Sequence, residues 1–369
     1  MLERLDSFWI SWASICRMGQ VHLEHTEGWE PRRTGDRRGS ATELREENLM
    51  LRNTLTKLTA VAALATGVAT TGAYAQDISM AFIVKDMNNP YYARMGDGAL
   101  RAAEELGINL SYVSAEYNGD IEGQIAVVES ELVKGHDAIV LVPMNGTALI
   151  PKVMEANALG IPVITADTKV DDGPAQVETF VGLDERTSFA GMAEWVVEQL
   201  GGEGQVAILE GFRGSSTAEL RLNGMMDVFN SYEGIEVVAS ISADWDQEKG
   251  LKAAEDILQA HPEVDAILGS NDLMALGAVQ AVKGAGLSDQ VIVVGDDAIP
   301  SALASLRAGD LDATIDGNTD RVGYEAVMAA YRLVTEGAEL DDWIVVESSI
   351  MTAEDVTDEY LASRGIELD

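Results

Sequence analysis

Cysteine is almost absent from this chain of 369 residues. The single cysteine, Cys16, lies near the amino terminus, and no other follows it. One cysteine forms no intrachain disulfide, and residues 76–369 have neither a thiolate metal site nor a cysteine nucleophile. A cysteine-free exported protein of this size is common in a bacterial periplasm, because a large core needs no covalent cross-links.

Basic residues are also scarce. The chain has 25 Lys and Arg against 62 Asp and Glu, a formal net charge of −37. Residues 1–75 hold nine of each sign, so residues 76–369 carry the whole excess, with 16 basic (25 − 9) and 53 acidic (62 − 9) residues. Such a surface repels nucleic acid and anionic membranes. The acids are spread along the chain, so we interpret them as a solubility feature, as in a saline habitat.

Long apolar runs are missing except for one near the amino terminus, "LTAVAALATGVATTG". Its length is typical of a signal-peptide core, not of the ~20 residues that cross a membrane. Arg52 and Lys57 precede it, and the small-residue motif "AYA" follows it. We therefore predict a signal peptide at residues 50–75, cleaved after Ala75, and export to the periplasm. Residues 1–49 are interpreted as a non-native extension from a misassigned start site.

Short apolar runs alternate with amphipathic helical stretches through the rest of the chain. Five strand candidates come first, "ISMAFIV", "INLSYVSA", "DAIVLVP", "PVITAD" and "TFVGL". Five more follow, "QVAILEG", "IEVVASISAD", "DAILGSND", "VIVVGDD" and "LDATID". Continuous apolar strands between helices are typical of parallel sheets covered on both faces. The pattern predicts an α/β protein with two doubly wound, Rossmann-like parallel-sheet domains. A final strand candidate, "WIVVESSI" (343–350), needs a sheet to join.

The strand ends are the places to search for function, because open parallel sheets bind ligands outside the carboxyl ends of their strands. These ends carry Asn, Asp, Tyr, Trp, Glu and Arg, without histidine or cysteine, and with only Lys85 and Lys169 as lysines. This set is poor for nucleophilic or acid–base catalysis and good for holding hydroxyl groups. Tyr and Trp rings can cover the C–H faces of such a ligand.

The segment "KDMNNPYY" after the first strand candidate combines these features. Asn89 followed by Pro90 predicts a helix N-cap and first helical residue, which does not exclude ligand binding. Tyr91 and Tyr92 are adjacent, so on a helix they cannot both face the core, and at least one is available to a cleft. Trp245, between two aspartates at a strand end, is interpreted as a cleft residue.

Several other motifs have only structural interpretations. From residue type alone, Arg221 inside a predicted helix is a solvated arginine. "GFRGSS" lacks the Gly-Lys-Ser/Thr ending of a phosphate loop, and "GDG" lacks the third glycine of a dinucleotide fingerprint. "DTKVDDG" lacks the spacing of a calcium loop, and His136 and His261 lie far from the strand ends. We predict no cofactor and no metal.

From residue 76 onward the chain resembles the periplasmic ribose-binding-protein group of type I solute-binding proteins, the soluble receptors of bacterial sugar ABC transporters. "NNPYY", "GIPVITAD", "AHPEVDAILGSNDLMALGA", "VIVVGDD" and "DATID" stand where that family has its motifs. The resemblance implies two domains joined by three hinge crossings, with a sugar enclosed in the cleft between them. It implies one domain of residues 76–183 plus 318–346 and another of residues 184–317 plus 347–369.

The resemblance also implies eight ligand contacts. They are Asn89, Tyr91, Tyr92, Asp167, Arg221, Trp245, Asn271 and Asp297. The chain departs from the ribose-binding pattern at two places, and both argue against ribose itself. Thr168 stands where ribose binders have an arginine, and Gly317 stands at the place of a glutamine, with Asp316 and Asn318 beside it. Thr168, Asp316 and Asn318 are therefore additional candidates.

These observations predict a periplasmic receptor for a neutral monosaccharide or polyol. An anion would be repelled, since two matched aspartates face one matched arginine. The expected partners are the membrane subunits of an ABC permease, with a chemoreceptor as a second candidate, and we expect a monomer that binds no nucleic acid. One alternative is an exported carbohydrate-active α/β enzyme, although no nucleophile–base pair stands out. Another is a transcription regulator on the same core, which would need a basic helix-turn-helix before it.

Overall fold

The apolar runs form two six-stranded sheets in the computed structural model, which describes residues 78–368. The predicted extension and signal peptide, residues 1–75, lie outside the described residues. All ten strand candidates form strands. The final candidate was predicted to be one strand, and this was wrong, since it forms two strands that join different sheets. Residues 343–345 pair with residues 180–182 of one sheet, and residues 349–351 pair with residues 314–316 of the other.

The first sheet has the order β11-β5-β4-β3-β1-β2, and every neighbouring pair is parallel. Its strands are β1 (Ser79–Val84), β2 (Asn109–Ser114), β3 (Ala138–Leu141), β4 (Val163–Ala166), β5 (Phe180–Gly182) and β11 (Trp343–Val345). Both faces of β1 are covered, so five consecutive residues, 80–84, are fully buried. This explains why the strand appears in the sequence as a continuous apolar run.

The second sheet repeats this plan with the order β12-β10-β9-β8-β6-β7. Its strands are β6 (Gly204–Glu210), β7 (Ile235–Ser242), β8 (Ala266–Gly269), β9 (Ile292–Asp296), β10 (Ala313–Asp316) and β12 (Ser349–Met351). All its pairs are parallel except that of β10 with β12. Two doubly wound parallel sheets were predicted, and the structure confirms them.

Helices cover both faces of each sheet. They are α1 (Pro90–Leu106), α2 (Ile121–Lys134), α3 (Ile150–Ala158), α4 (Glu185–Gln199), α5 (Ser216–Phe229), α6 (Gln247–Ala260), α7 (Asp272–Ala285), α8 (Pro300–Ala308), α9 (Thr319–Glu336) and α10 (Asp358–Ser363). Helices α1 and α9 share one buried cluster with the first sheet, and helices α4 and α5 share another with the second sheet. The first sheet with its helices is called the first lobe, and the second sheet with its helices is called the second lobe.

Close helix packing fixes the position of α9 on the first lobe. A Cβ atom at Gly98 of α1 would lie 1.7 Å from the carbonyl oxygen of Asp320, and one at Gly323 of α9 would lie 2.0 Å from the carbonyl oxygen of Met95. The absent side chains therefore let the two helix backbones touch. Helix α9 follows β10 of the second sheet, so this contact returns the chain to the first lobe.

The chain passes between the lobes three times. It leaves the first sheet after β5, returns after β10, and leaves again between β11 and β12. The residue limits of the two domains given above remain predictions. Within residues 78–368, none of the helices combines the length and the apolar character that a membrane crossing requires.

Candidate ligand-binding site

The strand order places a crevice at the same point in both lobes. In the orders 2-1-3-4-5 and 7-6-8-9-10, the chain connections diverge beside β1 and beside β6. Loops at the carboxyl ends of such strands separate and leave room for a ligand. The loops after β1 and β6 face each other across the gap between the lobes, so the two crevices form one cavity.

This cavity has about 320 Å³ of empty space, part of which is open to solvent. The structure brings together in its lining all eight residues that the resemblance implied: Asn89, Tyr91, Tyr92, Asp167, Arg221, Trp245, Asn271 and Asp297. Three further residues, Lys85, Asn118 and Thr217, complete the lining. The volume that the centre of a water-sized sphere can reach is about 30 Å³, so the lining side chains lie close together around the cavity.

Local sequence determines how the first loop is built. The side-chain oxygen of Asn89 accepts a hydrogen bond from the backbone N–H of Tyr91 at 2.9 Å, and Pro90 is the first residue of α1. The predicted N-cap is confirmed. Since the cap uses the Asn89 oxygen, its amide N–H groups are the part available to a ligand.

Tyr91 and Tyr92 both lie between the first-lobe core and the cavity. Their rings meet edge to face with centroids 5.1 Å apart, and both side chains are buried. The expectation that adjacent tyrosines cannot both pack on the core was wrong. The first turn of α1 lies where the core meets the cavity. Two adjacent side chains that point in different directions are therefore both buried.

Asp167 is the centre of a buried polar network at the end of β4. It accepts hydrogen bonds from the hydroxyl of Tyr91 at 2.6 Å, from Thr168 at 2.9 Å and from the Nζ of Lys85 at 3.3 Å. Lys85 also donates to the Thr168 hydroxyl at 2.7 Å. Asp167 has φ of 60°, a left-handed conformation that non-glycine residues seldom adopt.

Burial and pairing act in opposite directions on this network. Burial would raise the pKa of Asp167, but the positive charge of Lys85 and the hydrogen bond from Tyr91 lower it below its ordinary value. Burial lowers the pKa of Lys85, although Asp167 opposes this. Asp167 is therefore a carboxylate, and it can accept hydrogen bonds from ligand hydroxyl groups.

Threonines join the two lobes beside the cavity. The hydroxyls of Thr168 and Thr217 lie 2.8 Å apart, and Thr217 also donates to the backbone oxygen of Asp167 at 3.2 Å. Farther along the cleft, the amide of Asn145 donates to the backbone oxygen of Gly214 at 3.2 Å. These contacts cross between lobes, so the structure represents a closed arrangement.

Arg221 is buried, with 3 % of its surface exposed, so its interpretation as a solvated arginine was wrong. Its Nε and Nη2 donate to Glu185 at 2.8 and 3.2 Å, and its Nη1 donates to the backbone oxygen of Ser270 at 2.6 Å. Burial would lower the pKa of Arg221, but Asp296 and Glu185 raise it well above the ordinary value. A fixed positive charge therefore lies at the second-lobe side of the cavity.

Trp245 forms a flat wall of the cavity on the second lobe. A Cβ atom at Gly211 would lie 2.0 Å from the indole ring, so glycine at this position lets the ring lie against the backbone after β6. Trp245 itself has φ of 64°, a conformation that non-glycine residues seldom adopt. Such a conformation costs about 1–3 kcal/mol, and the packing of the ring compensates for it.

Asn271 and Asp297 complete the second-lobe side. The side-chain oxygen of Asn271 accepts the backbone N–H of Met274 at 3.0 Å, which caps α7 and leaves its amide N–H groups for the cavity. Burial and the neighbouring Asp296 raise the pKa of Asp297 well above its ordinary range. Ligand hydroxyls that donate to Asp297 would favour its ionised form.

The three additional candidates lie outside the cavity lining. Thr168 supports it from behind through the contacts given above. The carboxylate of Asp316 accepts from Tyr360 at 2.9 Å and from Arg364 at 2.8 Å, and the amide of Asn318 donates to the backbone oxygen of Glu347 at 2.8 Å. Asp316 and Asn318 thus connect the chain crossings to α10.

Sequence reasoning did not select Lys85, Asn118 or Thr217. Each of them stands in a strand-end segment, but none was assigned a role. A signal was available for Lys85, because a lysine directly after a fully apolar buried strand needs a carboxylate partner. Asn118 and Thr217 carry no such signal, since amides and hydroxyls are common in exposed loops.

Among residues 78–368, no group of three or more His, Cys, Asp or Glu side chains is arranged to hold a metal ion. The cavity carboxylates, Asp167 and Asp297, lie on different lobes, and Asp167 already has three donors. The donors and acceptors of the cavity fit hydroxyl groups.

Comparison with known proteins agrees with this geometry. A model of the periplasmic binding protein domain matches residues 80–339. The D-allose-binding periplasmic protein of Escherichia coli is 34% identical over 249 residues, which cover 66% of this chain and 80% of that protein. The ribose import binding protein RbsB of Bacillus subtilis is 32% identical over 255 residues, 69% of this chain and 81% of that protein.

Solved structures give the same result. An ABC transporter periplasmic solute-binding protein from Actinobacillus succinogenes with bound D-allose has a TM-score of 0.72 and 32% identity, covering 76% of this chain and 99% of that chain. A solute-binding protein from Bacillus halodurans with bound myo-inositol has a TM-score of 0.72 and 29% identity, covering 78% and 98%. The family match spans more than half of the sequence, and these relatives are binding proteins of transport systems. The chain therefore belongs to the periplasmic binding protein family.

Proposed function

We propose that this protein is the substrate-binding component of an ABC importer. Its lobes close around one neutral monosaccharide or polyol, which it delivers to a membrane permease. The observation that carries the proposal is a cavity between the lobes in which carboxylates, amides, two cations and aromatic rings face the same small volume. Polyhydroxy ligands need this mixture, because each hydroxyl both donates and accepts and each ring has apolar faces.

Each class of side chain has a defined role in this proposal. Asp167 and Asp297 accept hydrogen bonds from hydroxyls, Arg221 donates to a ring or hydroxyl oxygen, and Tyr92 and Trp245 cover the faces of the ligand. Hydrogen bonds to charged groups contribute about 1.5–3 kcal/mol each. A few of them, with aromatic cover, reach about −8 kcal/mol, or micromolar affinity, after the losses on association.

The relatives favour D-allose and similar neutral sugars as first probes. Two relatives are described with D-allose, and others with ribose or myo-inositol. Lys85 brings a cation within 3.3 Å of Asp167, beside Thr168, the position at which ribose binders have an arginine. The cavity therefore has a cation beside this carboxylate, and the residue that directly follows β1 supplies it.

The relatives are named as periplasmic or import proteins, and we propose the same compartment for this chain. Export would use the signal peptide at residues 50–75, and the processed protein would begin at Gln76. We further propose that it is a monomer without a cofactor or metal, that its partner is an ABC permease, and that a chemoreceptor is a second partner. Mass spectrometry of periplasmic protein tests the processing, and finding residues 1–49 there would contradict it.

A thermal-shift screen followed by calorimetry tests the binding function. The panel contains D-allose, D-ribose, myo-inositol and other neutral sugars and polyols. Ligand at 100 times its dissociation constant should add about 2.7 kcal/mol of stability. Binding of a sugar acid or sugar phosphate, without binding of any neutral member, would refute the proposal. Incubation with glycosides in the same experiment tests the alternative of an exported carbohydrate-active enzyme, for which released sugar would be the evidence.

A further inference from the structure

Two buried carboxylates behind Arg221 have no role in the function proposed above. Glu185 is the first residue of α4, and Asp296 is the last residue of β9. Each has 2 % of its surface exposed, and both lie behind the cavity lining. Burying two carboxylates beside one guanidinium is costly unless they act on it, because each loses its hydration.

The two carboxylates occupy the donors of Arg221 from opposite sides. Glu185 accepts from Nε and Nη2, and an oxygen of Asp296 lies 2.6 Å from Nη1, which also donates to the backbone oxygen of Ser270. A ligand carboxylate binds arginine best through two parallel N–H groups. At Arg221, Nε and Nη2 face the Glu185 carboxylate, and Nη1 faces oxygens of Ser270 and Asp296. No pair of nitrogens is therefore left free to bind an anion through two parallel N–H groups.

Aromatic rings restrict the guanidinium further. Its central carbon lies 4.9 Å from the centroid of the Phe189 ring and 5.5 Å from that of Trp245. The group therefore cannot turn to present a different edge without breaking these contacts. It remains a single directed donor at the cavity wall.

The charges near Arg221 are also compensated. Asp297 faces the same cavity, and Lys85, the second cation, is paired with Asp167. Burial raises the pKa of Glu185 to about 7, and burial raises that of Asp296 as well. Above neutral pH Glu185 is ionised, and Asp296 lies 2.6 Å from Nη1 on the other side, so the charge of Arg221 is compensated before a ligand arrives.

We propose that Glu185 and Asp296 determine the charge specificity of the site. By holding and neutralising Arg221, they make the cavity select uncharged polyhydroxy ligands over sugar acids of the same size. This inference rests on the proposed function, since it concerns the ligand of the same cavity.

Calorimetry with two probes tests the inference. The full chain is expressed, and the recovered protein is titrated at pH 8 and low salt with D-allose and with D-galacturonate. Glu185→Gln and Asp296→Asn each replace an ionisable carboxyl that contacts Arg221 by an amide of the same shape. In either variant, the preference for D-allose over D-galacturonate should fall at least tenfold, because part of the Arg221 charge becomes available to the acid.

Glu219→Gln is the matched control. Glu219 lies on the exposed face of α5, two residues before Arg221, and its substitution changes the net charge by the same amount. The preference should stay within twofold of the wild type. An equal shift in this control, an unchanged preference in both test variants, or no detectable D-galacturonate binding in either of them would overturn the inference.

Wild-type protein gives a reading that does not depend on the folding of the variants. D-galactosamine, a cation at neutral pH, should displace a bound neutral sugar better than D-galacturonate does. The reason is that both cations of the cavity, Lys85 and Arg221, are already paired with acidic side chains. Equal or stronger displacement by the acid would overturn the inference while leaving the binding function intact. Failure of every neutral sugar and polyol to bind would instead refute the proposed function itself.

Discussion

Lys85 and Asp167 form a buried ion pair that joins the end of β1 to the end of β4. Both side chains are at least 95 % buried, and their charged atoms lie 3.3 Å apart. Taking two charges out of water costs several kcal/mol each, so the pair stabilises the fold only because Tyr91 and Thr168 satisfy the remaining atoms. In the proposed function, this pair keeps the Asp167 carboxylate in the cavity in its ionised form.

Replacing the lysine should therefore damage both stability and binding. Lys85→Met leaves Asp167 buried without its cation, and we expect a loss of about 3–5 kcal/mol in the free energy of unfolding. D-allose binding should weaken at least tenfold. Chemical denaturation and calorimetry measure the two effects. Lys252→Met is the control, because its pair with Asp256 is exposed and such pairs contribute about 0–1 kcal/mol. Equal effects in both variants would contradict this account.

Trp245 should report ligand binding through its fluorescence. Only three tryptophans occur after residue 77, and Trp195 and Trp343 lie outside the cavity lining. A bound sugar covers the Trp245 ring and changes its surroundings, so Trp245→Phe should remove most of the signal. Trp195→Phe and Trp343→Phe are the controls and should keep it. A full signal in the Trp245 variant would place the ligand elsewhere.

Glu185 should make stability depend on pH. Burial raises its pKa from 4.5 to about 7, so between these values the folded protein holds a proton that the unfolded chain has released. The stability contributed by this group is fully present below pH 4.5 and is lost as pH rises from 4.5 through 7, by about 3 kcal/mol at 1.36 kcal/mol per pKa unit. Glu185→Gln should reduce the difference between unfolding free energies at pH 5 and pH 8, whereas Glu219→Gln should not.

At the scale of elements, the contact between α1 and α9 joins the helix that begins at the cavity to the chain crossing. Helix α1 begins at the cavity with Pro90, and α9 begins directly after the crossing that contains Asn318. Arg364, at the end of α10, binds Asp316 and Asn318, and also Asp320 of α9 at 2.6 Å. These links make the start of α9 a fixed support for the first lobe.

Two glycine substitutions separate close packing from helix propensity. Gly98→Ala places a methyl group against the backbone of Asp320, so we expect a loss of about 1–3 kcal/mol or more. Gly284→Ala lies in α7, where a Cβ atom meets nothing within 4 Å, and should stabilise by about 0.5–1 kcal/mol. Urea unfolding of both variants measures the difference. Similar values for the two would show that the helices do not touch as described.

At the scale of the whole molecule, charge dominates. Residues 76–369 carry a formal charge of −37, with acids distributed over the surface of both lobes. Mutual repulsion between the acids opposes the compact state. Salt weakens this repulsion, because the screening length falls from about 10 Å at 0.1 M to about 3 Å at 1 M. The melting temperature should therefore rise as NaCl increases from 0.05 to 0.5 M. Sucrose at matched osmolality is the control, and a decrease with NaCl would contradict the interpretation.

Part of this architecture is determined by sequence alone, because the causes are local. Buried parallel strands require continuous apolar runs, so ten strands could be recognised from their letters. Asn89 and Pro90 start a helix through contacts within three residues, and any sequence reading can find them. The candidate residues also follow from a local rule, since they stand at strand ends where parallel sheets bind ligands. Their ligand contacts remain predictions.

Only the tertiary structure decided which of these residues meet. Lys85 and Asp167 are separated by 82 residues, and Arg221 joins Glu185 and Asp296 from two other elements. No periodicity encodes such pairs, because they depend on how β1, β4, α4 and β9 are placed in space. The split of "WIVVESSI" has the same cause. Its apolar pattern predicts a strand, but the sheet that each half joins is set by the distance between the two lobes.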